Sequence, residues 1–218
     1  MGGLEPTDSS PSAPQTPSPG PTSDTARLET FADGVMAIAI TLLVLEIRVP
    51  PHAPGRLGHA LAEQWPSYAA YVVSFLTIGV IWVNHHRMFK LIERITHNFL
   101  MLNVVFLMVL AFIPFPTALV AAAIRDHDGV RIATFVYGGT MTLMAVMFNV
   151  VWGYAAAGHR LLVEGLSPAD IRKGTRSYRR GPALYLVLTL AALINPYVSL
   201  AAFAALAVYW LLPGSGPG

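Results

Sequence analysis

Asp33 is the residue whose chemistry is hardest to accommodate. It stands at the head of a long aliphatic run, Arg27-Leu-Glu-Thr-Phe31-Ala-Asp33-Gly34-Val-Met-Ala-Ile38-Ala-Ile-Thr41-Leu42-Leu-Val-Leu45-Glu-Ile47. An ionised carboxylate in such a segment costs about 2.5 to 3.5 kcal/mol even on a lenient membrane-insertion scale, so Asp33 needs a partner or water. Arg27 supplies the opposite charge. Six positions apart the two do not stack on one helix face, which favours bridging through another helix. Gly34 lets a neighbouring backbone come close. Farther along, Ile38, Leu42 and Leu45 recur at i, i+4 and i+7, with Thr41 at their flank. By spacing alone such a stripe is packing. Around an axis shared by several copies it would instead form a dry constriction, beside threonine hydroxyls able to ligate a partly dehydrated cation.

Other reactive side chains carry weaker signals. His85 and His86 are adjacent and project about 100° apart on a helix, a poor chelate, so hydrogen bonding at an interface is the expected role. Phe135-Val-Tyr137-Gly138-Gly139-Thr140 has the composition of a carbonyl filter in the wrong order, inside an apolar run, and reads as helix packing. Asp126 and Asp128 flank a histidine in a glycine-containing turn, which reads as solvated. No nucleophile elbow, phosphate loop or zinc-helix motif is present, and an enzyme is not expected. No cofactor or bound metal is expected beyond a permeant ion. Without cysteine there are neither disulfides nor thiolate metal sites.

The elements that position these groups follow from composition. The chain is 54% hydrophobic and 12% charged, whereas soluble domains are about 25% charged, which makes this an all-α integral membrane protein. Thr30 to Ile47 rises roughly 27 Å as a helix, close to the ~30 Å of a hydrocarbon core. Further spans are expected over Ser67 to Asn84, over Asn98 to Ala122 with a kink at Pro114 and Pro116, and over Ile132 to Tyr154, where Gly138 and Gly139 allow close helix contact. Two short apolar runs, Ala183 to Ile194 and Tyr197 to Leu212, flank Asn195-Pro196 and read as a helical hairpin, with a single broken helix as the competing reading. Residues 1–26, rich in Pro, Ser and Thr, are expected to be a disordered tail. Residues 27–212 form the membrane domain, and 213–218 a flexible end. Arg48 to Pro66 and the basic stretch 158–181 are expected as loops.

With six spans, ten of the 14 Lys and Arg residues fall on one side. These are Arg27, Arg87, Lys90, Arg94, Arg160, Arg172, Lys173, Arg176, Arg179 and Arg180; Arg48, Arg56, Arg125 and Arg131 fall on the other. The positive-inside rule then places both termini in the cytoplasm, and a multi-pass protein of the cell membrane is expected. The basic residues are spread over loops rather than gathered into a stripe, so nucleic acid is not an expected partner.

Arg27-x-x-x-Phe31-Ala32-Asp33-Gly34, running into Val-x-Ala-Ile38-x-Ile-Thr41-Leu42-Leu-Val-Leu45-Glu46, resembles the Arg-x-x-x-Phe-Ser-Asp-Gly signature of the transmembrane protein 175 potassium channels. Trp82-x-x-His85-His86 is similar to that family's second-helix partner segment. The resemblance covers residues 26 to 212. It implies a six-helix subunit of a homotetramer, with first helices lining a potassium pore. It also implies a hydrophobic gate of Ile38, Leu42 and Leu45, and a potassium-favouring threonine layer at Thr41. A network of Arg27, Phe31, Asp33 and Gly34 with Trp82, Asn84, His85 or His86 would hold the pore helix. Ala32 stands where the signature has serine, removing one hydroxyl. The expected function is thus a modestly potassium-selective cation channel whose partners are its own copies, K+ and membrane lipid. A proton-conducting channel or proton-coupled transporter, and a non-conducting scaffold, are the alternatives.

Overall fold

The computed structural model describes residues 21–211, so most of the expected N-terminal tail, and Leu212 with the C-terminal end, lie outside the described residues. Among those described, the architecture is entirely helical. Eight α-helices follow one another: α1 Pro21–Leu42, α2 Leu57–Glu63, α3 Trp65–Phe89, α4 His97–Ala111, α5 Pro114–Asp126, α6 Val130–Ala156, α7 Pro168–Ala191 and α8 Pro196–Leu211. Four stretches are long and apolar enough to cross a membrane: Asp24–Glu46, Trp65–Phe89, His97–Asp126 and Val130–His159. The apolar part of α7 and the whole of α8 are shorter.

Several boundaries differ from expectation. α1 begins at Pro21, so Pro21 to Ala26 belong to the first helix and not to a structureless tail. The extension is anchored, because Thr25 is buried and donates its hydroxyl to the Glu93 carbonyl at 3.3 Å. At its far end α1 tightens into a 3-10 turn over Leu43–Glu46. The loop before α3 contains the short helix α2, which buries none of its residues. The proline-bearing span is divided more sharply than a simple kink. α4 stops at Ala111 and α5 restarts on Pro114, whose missing N–H is harmless at a first helical position.

The largest difference is α7. Residues 158–181 are not a loop beyond Ser167: that residue caps a continuous helix that runs through Pro182. Ser167 Oγ accepts from the Asp170 amide at 3.1 Å and donates to its carboxylate at 2.7 Å. A proline inside a helix leaves the carbonyl four residues earlier without its N–H partner. Here that carbonyl belongs to Tyr178, and Asn149 of α6 donates its side-chain amide to it at 2.9 Å. The neighbouring helix thus repairs the defect. One turn farther, Trp152 Nε1 donates to Thr175 Oγ1 at 2.9 Å, and at the opposite end Thr142 and Thr189 hydroxyls lie 3.0 Å apart. These rungs descend α6 as they ascend α7, so the two helices are antiparallel along their full lengths.

Gly138 permits that packing. A methyl group built there would sit 2.6 Å from Thr189 Oγ1 and 3.1 Å from Phe203 Cζ, whereas one at Gly139 would meet nothing within 4 Å. Only the first glycine makes the expected close approach. The filter-like segment around it is therefore α6 packing surface, with Tyr137 edge-on to Phe203 at 5.4 Å. α8 folds back on α7: Ser199 Oγ donates to the Leu188 carbonyl at 2.7 Å, and Tyr185 stacks on Phe203 at 6.1 Å. Asn195 caps α8 by accepting from the Tyr197 and Val198 amides at 3.0 and 3.2 Å. The hairpin reading holds over the single broken helix.

One end of the bundle is tied by backbone. The Glu93 and Val163 amides donate to the Leu161 and Leu91 carbonyls at 2.8 and 3.1 Å, gathering the exits of α3 and α6 where α1 begins. Arg27, Arg87, Lys90, Arg94 and Arg160 belong to this end. At the other, Arg125 donates to Ser67 Oγ at 3.4 Å.

Two stability measurements check the α6–α7 account. Asn149→Ala should cost about 1 to 3 kcal/mol by orphaning the Tyr178 carbonyl, and most of that cost should vanish in a Pro182→Ala background, where an N–H is restored. Equal costs in the two backgrounds would contradict it. Gly138→Ala should destabilise by about 1 to 3 kcal/mol while Gly139→Ala leaves unfolding in detergent essentially unchanged.

Candidate pore helix and its anchor

α1 has two unlike faces. Leu28, Ala32, Met36, Ala39 and Leu43 follow one another at spacings of three and four and are buried against α3 and α4. About a third of a turn away, Phe31, Ile38, Leu42 and Leu45 are 57%, 61%, 42% and 67% exposed, and Arg27, Gly34 and Thr41 are exposed with them. The inner face buries small and medium side chains; the outer face carries the large ones and leaves them without a partner in the subunit. Thr41 donates its hydroxyl to the Ile38 carbonyl at 2.8 Å. That turns its oxygen lone pairs away from the helix axis, toward whatever occupies the space outside.

About a quarter of a turn from the buried face, on the side away from the exposed stripe, α1 is fastened to α3 by two rungs. Trp82 Nε1 donates to Asp33 Oδ1 at 2.9 Å. One turn earlier on α1 and one turn later on α3, Glu29 Oε1 lies 2.6 Å from His86 Nδ1. Trp82 and His86 themselves stack, 6.1 Å apart and 17° from parallel. Two acids at i, i+4 thus meet a tryptophan and a histidine at i, i+4 in antiparallel register. Asp33 gains a hydrogen-bond donor suited to an interfacial level, because an indole N–H directs a polar tip from an apolar body. The Glu29–His86 pair is partly exposed, with side-chain exposures of 25% and 42%, so as an ion pair it contributes no more than about 1 kcal/mol.

The expected network is divided by this geometry. Asp33, Trp82 and His86 come together. Arg27 does not: the ion pairs among the described residues do not include it, and Asp33 takes Trp82 in its place. Six positions from Asp33, the guanidinium lies on the outer face while the carboxylate points at α3. Phe31 and Gly34 lie on that outer face too, and Gly34 makes no close approach inside the subunit. Ala32 is fully enclosed, so a hydroxyl at this position would address the subunit core and not the two rungs.

Asn84 and His85 serve other contacts. Asn84 donates to its own helix at the Val80 carbonyl, 3.0 Å away, and faces a cleft between α3, α6, α7 and α8. His85 is fully buried, between Phe89 at 4.3 Å and Phe106 at 5.3 Å. Its Nε2 lies 3.4 Å from the Asn103 amide oxygen, so Nε2 carries the hydrogen and Nδ1 is left as an acceptor without a partner. The two histidines therefore diverge, one into the core and one to α1. Glu29 joins the anchor through His86, a contact the sequence pattern does not single out. Its one trace is the spacing, since it precedes Asp33 by one helical turn, just as Trp82 precedes His86.

A double-mutant cycle measures the anchor. Trp82→Phe and Asp33→Asn should couple by about 1 kcal/mol in unfolding free energy, in line with hydrogen bonds between membrane helices, whereas Asn84→Ala should add independently to Asp33→Asn.

Comparison with known proteins places this geometry. Residues 27–114, which contain most of α1 and both rungs, match the model of the family described as endosomal/lysosomal potassium channel TMEM175. A protein from Chamaesiphon minutus, named as a potassium channel, is 44% identical over 87% of this chain and 95% of its own length. A Streptomyces collinus protein, also named as a potassium channel, is 42% identical over 86% of this chain and 91% of its own. The crystal structure of a lysosomal potassium-selective channel TMEM175 homolog from Chamaesiphon minutus superposes with a TM-score of 0.78 at 42% identity, covering 86% of this chain and 96% of that one. A spanning first helix with one unpartnered face, fastened to the second span through Asp33 and Trp82, is in this chain the framework of a member of the TMEM175 family.

Proposed function

We propose that this protein is the subunit of a potassium-favouring cation channel in which four copies place their first helices around a common axis. The observation that carries the reading is the outer face of α1: a spanning helix is pinned by its polar residues to α3, while Ile38, Leu42 and Leu45 stand exposed with Thr41 among them. Around a fourfold axis these residues become rings. Rings of Ile38, Leu42 and Leu45 make a constriction that water leaves readily, and conduction then requires it to widen. Thr41 hydroxyl oxygens, one from each copy, replace part of an ion's hydration shell.

Each chain contributes one such helix, so a closed symmetric assembly is needed to surround a pore. The names borne by the 42–44% identical relatives support potassium as the permeant ion. The positive-inside rule, applied to the basic end that holds the start of α1 and the exits of α3 and α6, orients the termini toward the cytoplasm, in the reading of a multi-pass protein of the cell membrane. Ions pass down their gradient, and no catalytic step or cofactor is involved.

Liposome flux decides between this reading and its alternatives. Purified protein should release potassium faster than sodium; Thr41→Ala should reduce that preference, and Leu42→Ala or Ile38→Ala should raise the basal leak. Because the chain has no cysteine, Leu45→Cys gives a background-free probe, and oxidation should link copies and lower flux. Folded oligomers that carry protons but no potassium would replace this reading with a proton channel, and folded oligomers without any flux would point to a scaffold.

A further inference from the structure

The N-terminal half of α7 has no part in the pore helix or its anchor, yet it holds the densest positive charge in the chain. Arg172, Lys173, Arg176, Arg179 and Arg180 are all exposed. At about 100° per residue they fall within an arc of roughly 120°. The opposite side of the helix carries Ile171, Thr175 and Tyr178, which pack on α6. The cations therefore project away from the bundle. The ion pairs among the described residues leave all five aside. Asp170, the acid nearest in sequence, lies off the arc and is engaged by Ser167.

Depth is set by the rungs to α6. Trp152–Thr175 and Asn149–Tyr178 hold this half of α7 level with the last turns of α6, which ends at Ala156. At this level Trp152 is buried, with Tyr154 and Tyr178 partly exposed beside it. Beyond Pro182 the outward face continues without rotation but changes in chemistry. Leu186, Val187 and Leu190 lie on the same arc as the cations and are 47%, 61% and 48% exposed. One helix face thus passes from five cations to bare aliphatics, the polarity sequence of a phospholipid read from headgroup to acyl chain.

We propose that this face of α7 binds anionic phospholipid, with Arg172, Arg176, Arg179 and their neighbouring cations on the headgroup phosphates and the Leu186–Leu190 surface against the acyl chains. Basic clusters on an amphipathic helix at a membrane surface attract anionic headgroups in this way. A soluble anion would use the cations and leave the aliphatic continuation unexplained. Burial of the face against a second copy of the chain would require opposite charge on the copy's surface.

The test uses the full chain in detergent with equimolar phosphatidylglycerol and phosphatidylcholine, bound lipid being read by native mass spectrometry. Wild type should retain phosphatidylglycerol preferentially and lose the preference at high salt. Inorganic phosphate at matched concentration should not displace it. Combined Arg172→Gln, Arg176→Gln and Arg179→Gln should reduce the preference at least about tenfold, whereas Arg56→Gln with Arg131→Gln, at the opposite end, should leave it intact. Equal retention of both lipids by wild type, or full displacement by phosphate, overturns the proposal; so does an unchanged preference in the folded triple variant. Should that variant fail to assemble, the wild-type preference and its salt dependence decide.

Discussion

The hydrogen bond from Trp82 to Asp33 constrains the rest of α1. A carboxylate in an apolar segment is costly without a donor, and the donor it finds, on α3, fixes the rotation of α1 about its own axis. Once Asp33 and Glu29 point at α3, Ala32, Met36 and Ala39 must point into the core, and Ile38, Leu42 and Leu45 must point out. The orientation of the Ile38, Leu42 and Leu45 stripe is thus determined by polar contacts that lie about one to four helical turns away from it. Hydrophobicity alone does not choose between the two faces, since both are aliphatic and lipid is as apolar as a neighbouring helix.

Beside α1, the helices that pack most closely on α3 are α5 and α8. α6 and α7 form a long antiparallel pair in which each irregularity of one is met by the other. The carbonyl freed by Pro182 is taken by Asn149, and the hydroxyl of Thr189 fits against Gly138. Within a hydrocarbon layer every backbone group must find an internal partner, so these matches are conditions for α7 to exist as a helix. α8 then folds against α3 and α6, and α4 and α5 complete the wall around α1.

Much of the site was legible because its signals are local. The Asp33–Gly34 knot, the i, i+4, i+7 stripe and the Trp82 segment lie within single helices, where a periodicity of 3.6 assigns faces without knowledge of partners. The hairpin at Asn195-Pro196 was legible for the same reason, since asparagine caps and proline starts the next helix. The helical nature of residues 168–181 was not: their charge and the proline at 182 argue for a loop, whereas Ser167 caps the helix and Asn149 of the preceding helix takes the carbonyl that Pro182 leaves free.

By itself the sequence determined that this is a helical membrane protein, where its main spans run, and which residues stand on the aliphatic stripe of α1. These follow from composition and local periodicity. Only the tertiary structure decided which partner Asp33 takes, that Arg27 and Gly34 face outward, that Glu29 joins the anchor through His86, and that His85 and Asn84 leave it. Each of those outcomes depends on how two helices are rotated against one another. That rotation is set by contacts between segments distant in sequence, a condition that no single segment expresses.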